Sequence, residues 1–150
     1  MVENINAAGA LLFGRVTYEI MASYWPTATA IKADPAIAER MNSLPKFVLS
    51  RKLTRSDWNN TQFLTGDMAS EVRKIKQSPG KRIAILGSGA IVAQLAPLGL
   101  IDAFEIVLNP VAIGHGRSLF ENIGDQLSLR LTGSRSFRNG NVLLCYEPST

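Results

Sequence analysis

A chain of 150 residues with 46% hydrophobic content, a formal charge of +4 and a single cysteine reads as one globular domain with a core of its own. One cysteine excludes an internal disulfide and fits a reducing, cytoplasmic setting. No apolar run approaches the roughly 18–20 residues that span a bilayer, no basic leader precedes Ala7–Phe13, and the basic residues are scattered, so neither a membrane nor a nucleic acid is expected as partner.

Ala10–Phe13 is a short apolar run closed by Gly14 and reads as a buried strand. Thr17–Tyr24 reads as a helix that stops before Trp25-Pro26, because the residue before a proline leaves the α region. Pro35 opens a second helix with Asp34 as N-cap and Ile37, Ala38 and Met41 on one face. Strands follow at Lys46–Ser50 and Thr61–Thr65. Asp67 caps a helix to about Gln77, with Met68, Val72 and Ile75 spaced for one apolar face, and Ser78-Pro79-Gly80 stops it. Ile83–Leu86 is almost wholly apolar, as in a strand covered on both sides. A short helix over Ala90–Leu95 comes next. Ala103–Ile113 is extended and interrupted by Pro110. Leu127, Leu129 and Leu131 alternate with polar residues, so one face of that strand is wet. Asn139-Gly140 signals a hairpin into a last strand at Val142–Tyr146. Strands alternate with helices to about residue 100 and dominate after it. The expected class is α/β: a mixed sheet flanked by helices, with an antiparallel C-terminal hairpin, all of residues 1–150 in one domain.

The stretch Arg82–Ala90, RIAILGSGA, carries the strongest chemical hint. A strand, a Gly-Ser-Gly turn and a helix in that order put backbone N–H groups and a positive helix end just past a strand end, where a phosphate fits. Gly87, Ser88 and Gly89 are therefore candidate nucleotide-binding residues. Val92 stands where the dinucleotide fingerprint G-x-G-x-x-G would have its last glycine, so a plain tight turn remains open. Cys145, in VLLCYE, reads as a small apolar group rather than a nucleophile. His115 is the only histidine, in a GHGR loop, and reads as solvated; one Cys and one His without paired spacing give no metal site.

Five segments in series carry a family resemblance: LLFGRVTYEIMASYWP at 11–26, PKFVLSRKL at 45–53, WNNTQFLTGD at 58–67, ILGSGAIVAQL at 85–95 and LIDAFEIVLNPVAIGHGRSLF at 100–120, followed by NVLLCYEP near the end. In order and spacing the chain resembles the dihydrofolate-reductase-like fold, and within it the group related to the C-terminal reductase domain of bacterial riboflavin biosynthesis. The resemblance implies a reductase with NADPH as cofactor. Carried over by motif, Gly14, Arg15 and Thr17 lie beside the cofactor; Arg15 offers a bidentate cation and Thr17 a hydroxyl and a first-turn N–H. Read without the family, Arg15 is a solvated charge and Thr17 a cap. Ser50-Arg51 stands where the family takes the 2′-phosphate, and the Gly87–Gly89 turn takes the diphosphate, with Ala90 and Ile91 supplying further N–H groups. Tyr24-Trp25-Pro26 matches an aromatic segment near the substrate pocket. Trp25 either stacks on a pterin or pyrimidine or only closes its helix against the core.

Relatives of this kind usually begin with one more strand, near the centre of the sheet. Its absence here makes the domain look N-terminally short: truncated, completed by a second chain, or no longer catalytic. The implied function is reduction of a heterocyclic small molecule, 5-amino-6-(5-phosphoribosylamino)uracil or a dihydrofolate-like pteridine. The other reading is a non-catalytic nucleotide-binding or structural homodimer. Dimerisation is expected from the resemblance, the acid that would donate a proton is unassigned, and a phosphorylated substrate would need a second basic group, for which Arg117 is the candidate.

Overall fold

The computed structural model describes residues 2–80 and 82–149 and falls into two compact units, Met1–Ile91 and Val92–Thr150. The first is organised around β1 (Ala8–Gly14), whose residues Leu11 and Phe13 are fully buried. β1 is preceded by α1 (Val2–Ala7) and followed by α2 (Arg15–Tyr24), α3 (Ala28–Ala33) and α4 (Pro35–Ser43). Then come β2 (Lys46–Leu49), β3 (Thr61–Leu64), α5 (Met68–Gln77), β4 (Arg82–Ile85) and α6 (Gly89–Leu95), the last of which runs across the boundary between the units.

The four strands form one parallel sheet in the order β3-β2-β1-β4. Leu11 pairs with Lys46 on one side of β1 and with Ala84 on the other. Parallel strands share a direction, so all four carboxyl ends open along one edge of the sheet, where ligand sites of such sheets form. The core behind that edge joins Leu11, Phe13, Tyr18, Met41, Val48 and Trp58, with Tyr18 and Trp58 rings 5.6 Å apart. Two helix starts are those expected from the sequence: the Asp34 carboxylate accepts from Ile37 N–H at 3.3 Å, and that of Asp67 from Ser70 N–H at 3.0 Å. α3 was not expected; Thr27 caps it by accepting from Ala30 N–H at 3.2 Å. β4 also departs from expectation. It pairs only with β1 among the described residues, and Ile83, Ala84 and Ile85 are half-buried rather than enclosed.

The opposite, amino-terminal edge of the sheet is closed by cations. Lys46, the first residue of β2, is 1% exposed. Its ammonium donates to the carbonyl oxygens of Leu44 (2.8 Å), Asn59 (3.0 Å) and Asn42 (3.1 Å) and lies 4.5 Å from the centre of a Trp58 ring. All three protons are thereby placed, with a π face in addition. The Asn42 side chain secures the arrangement by accepting from Trp58 Nε1 at 2.7 Å. Arg40 does similar work beside it, its Nη2 donating to the oxygens of Ala8 (2.8 Å) and Ile5 (3.2 Å).

The second unit holds β5 (Phe104–Leu108), β6 (Leu129–Ser136) and β7 (Val142–Pro148), antiparallel in the order β5-β7-β6. β5 stops at Leu108, ahead of Pro110, as a residue without an N–H requires. The expected hairpin joins β6 to β7: Phe137 N–H donates to Asn141 O at 2.8 Å and Gly140 takes φ 89°. The alternation of leucines holds at Leu127 and Leu129, both half-buried, and ends at Leu131, which is exposed where the ladder slips between Leu131 and Gly133 on an edge strand. Cys145 is half-buried in β7, opposite Glu105 and Gly133. Among the described residues no helix is long and apolar enough to cross a membrane.

Candidate functional site

Three turns emerge side by side from the carboxyl edge of the parallel sheet. Gly14 ends β1 and faces Leu49 of β2 in the ladder, so Ser50 continues beside it; Leu12 faces Ile85, which brings Leu86 and Gly87 to its other side. Neighbouring strands run about 4.8 Å apart, so the three turns together line roughly 10 Å of edge.

The G-R-x-T turn and the Gly-Ser-Gly turn touch. Gly14 N–H donates to Ser88 Oγ at 3.2 Å. A methyl on Gly14 would stand 3.2 Å from Ile91 Cγ1, and one on Gly87 would stand 3.7 Å from Thr17 Cγ2. Gly14 has an ordinary extended backbone, φ −77°, so its lack of a side chain serves close approach rather than an unusual turn. The left-handed conformation falls on Gly87 (φ 63°) and on Ser88 (φ 53°) rather than on Gly89.

The residues assigned from sequence are not equivalent here. Thr17 is half-buried at the contact of the two turns. Arg15 is exposed and paired with Glu19 at 2.8 Å, one helical turn on, so a ligand would have to share its guanidinium with that carboxylate. Ile91 does not offer a free N–H, because that group donates to Ser88 O at 2.8 Å; its contribution is a buried side chain against Gly14. Gly89 and Ala90 form the exposed first residues of α6.

On the next strand, Ser50 Oγ accepts from the N–H groups of Leu53 (2.9 Å) and Lys52 (3.2 Å). Both lone pairs are engaged, which leaves the hydroxyl proton to donate outward. Arg51 is exposed on that turn, with Lys52 next to it. The Asp67 carboxyl, held below its usual range first by the Ser70 N–H and then by the Ser70 hydroxyl, also feels Arg73 and Arg51. Exposed cations around a hydroxyl whose proton is available match the chemistry of a phosphate dianion.

Trp25 is not brought to this edge. It lies at the other end of α2, about 15 Å of helix from Gly14. Its ring packs on the core, its Nε1 donates to Met21 Sδ at 3.2 Å, and Tyr24 meets it edge-on at 5.1 Å. His115 and Arg117 belong to the second unit; both are exposed, and Arg117 lies 3.7 Å from Glu121. What sequence reasoning missed is the Ser88–Gly14 bond and the role of the Ile91 side chain. No periodicity marks a contact between residues 74 positions apart.

YyaP, an uncharacterized protein of Bacillus subtilis, is 28% identical over 143 residues, covering 95% of this chain and 76% of that protein. Among solved structures, a Shewanella sp. PV-4 protein provisionally named for riboflavin biosynthesis superposes over all of this chain and 79% of its own, with a TM-score of 0.76 and 20% identity. A pyrimidine reductase-like protein of Corynebacterium diphtheriae does so over 95% of this chain and 77% of its own, with a TM-score of 0.60 and 16% identity. These structural likenesses support the fold, a parallel sheet flanked by helices together with an antiparallel three-stranded sheet. The model of the RibD C-terminal domain matches residues 1–143, and the chain belongs to that family.

Proposed function

We propose that the chain is a reductase that uses NADPH to reduce a pyrimidine- or pteridine-type heterocycle. The observation that carries the reading is the junction of the G-R-x-T and Gly-Ser-Gly turns, tied by Gly14 N–H and Ser88 Oγ at the carboxyl edge of a parallel sheet. Membership of a reductase-like family and the name of the Corynebacterium relative favour the same chemistry.

The residues present suit the cofactor. Gly14 leaves backbone open where a side chain would press on Ile91, and Gly87 takes a left-handed backbone that suits glycine. On this reading Ser50 donates its hydroxyl proton to the 2′-phosphate and Arg51 neutralises it, so discrimination against NADH rests on these two. Thr17 would offer its hydroxyl to the middle of the cofactor, and the Gly87–Gly89 turn would offer its backbone to the diphosphate. NADPH supplies the hydride; the chain binds and orients. Trp25 has no part in this site, and no residue is assigned as proton donor.

Supporting a homodimer, Leu108, Val111 and Ile113 stand exposed in the second unit, at 60%, 71% and 72%. The test of function is consumption of NADPH by the purified protein with pyrimidine and pteridine substrates in turn. Turnover with one of them supports the proposal. Tight NADPH binding with no turnover on any would favour the non-catalytic nucleotide-binding reading.

A further inference from the structure

We infer that Ser88 is a positioning residue: its hydroxyl clamps the β1–α2 turn to the β4–α6 turn and so sets the spacing of the two backbones that the middle of the dinucleotide would meet. The inference rests on the NADPH reading above and adds to it a role for one side chain.

Ser88 sits between two glycines yet is itself left-handed, at φ 53°. That conformation is costly for an L-residue and nearly free for glycine. The hydroxyl gives a reason for serine in that place. It accepts from Gly14 N–H at 3.2 Å across 74 residues of sequence and donates a long bond, 3.5 Å, to Leu86 O. Three residues further on, Ile91 closes the same junction from the side, against the missing side chain of Gly14. The junction is thus fixed by one polar tie and one steric stop. The tie also uses up the Gly14 amide, so Gly14 shapes the site without donating to a ligand.

The experiment compares wild type with Ser88→Ala and Ser88→Gly. Both lack the hydroxyl; the second also releases the backbone strain, so it reports on the clamp where the first is weakened in folding. Two readouts are taken: hydrogen exchange of the Gly14 amide without ligand, and calorimetric affinity for NADPH beside that for adenosine 2′,5′-bisphosphate, which carries the 2′-phosphate but no diphosphate bridge. Loss of the clamp is expected to speed Gly14 exchange in both variants. It should weaken NADPH roughly tenfold, the worth of one well-placed hydrogen bond, and leave the bisphosphate nearly unaffected. Equal weakening of both ligands would mean that Ser88 is merely structural and overturns the inference, as would unchanged NADPH affinity or unchanged Gly14 exchange. If wild type itself binds no NADPH, the cofactor reading falls and the positioning role with it, whereas a failure confined to the variants' behaviour leaves the cofactor reading standing.

Discussion

The two edges of the parallel sheet are built from the same four strands and put to opposite uses. At the amino-terminal edge the cations are enclosed: Lys46 is buried with its three protons placed on carbonyls, Asn42 is held between Trp58 Nε1 and the Trp25 carbonyl, and Arg40 keeps a buried Nε without a partner. At the carboxyl edge the features open: Gly87 and Ser88 hold left-handed turns, Arg51 stands in solvent, and Ser50 keeps a proton to give. The contrast separates an edge whose charged side chains are enclosed from one whose polar groups face solvent. Hydrogen bonds from the Lys46 ammonium and the Arg40 guanidinium tie the first edge together, and each edge carries a left-handed non-glycine residue, Asn60 (φ 60°) at the first and Ser88 (φ 53°) at the second.

The sharpest way to break this contrast is Lys46→Met. It keeps the length and loses the ammonium, leaving one buried and two partly buried carbonyls without their donor. A loss of about 3 kcal/mol is expected, read from the urea midpoint at pH 7. A loss below ~1 kcal/mol would show that the closed edge is not what holds the unit together.

A change of pH probes the same edge without mutation. Burial pushes the Lys46 ammonium down to about 8 from its ordinary 10.5. Between those values the unfolded chain binds more protons than the folded protein, so stability rises as the pH climbs from about 8 to about 10.5. The gain from this residue is on the order of 3 kcal/mol. Lys46→Met should lack that rise; an identical alkaline rise in the variant would assign it to other groups.

At the open edge the expected effects are smaller. Gly14→Ala places a methyl against Ile91 and should cost about 1 kcal/mol in stability. The cost should shrink on an Ile91→Ala background, where the opposing Cγ1 is gone, which a double-mutant cycle of urea midpoints would measure. Additivity in that cycle would mean the close approach is not felt.

Much of the first unit was legible before the structure. The apolar run before Gly14, the capping aspartates at 34 and 67 and the Ser-Pro-Gly stop are local signals, and local chemistry produced the elements they announce. α3 escaped because ATAIKA is too short for a periodic face and its cap, Thr27, follows a proline. The burial of Lys46 could not be read, since a lysine opening a strand after Pro45 looks like a solvent charge and its partners are backbone carbonyls with no side-chain signature. The open edge was legible as motifs and not as geometry. The two turns were named from their residues, but the bond that joins Gly14 to Ser88 is a product of β1 and β4 lying side by side.

Calorimetric titration with NADPH and NADH, on wild type and on Arg51→Ala, decides whether the carboxyl edge takes NADPH. Wild type is expected to bind NADPH in the micromolar range and NADH much more weakly. In Arg51→Ala, NADPH affinity should fall about tenfold or more toward that of NADH, as expected for a lost charge-assisted phosphate contact. Equal affinity for the two nucleotides, no binding of either, or an Arg51→Ala variant that holds NADPH as tightly as wild type would contradict an NADPH site at that edge.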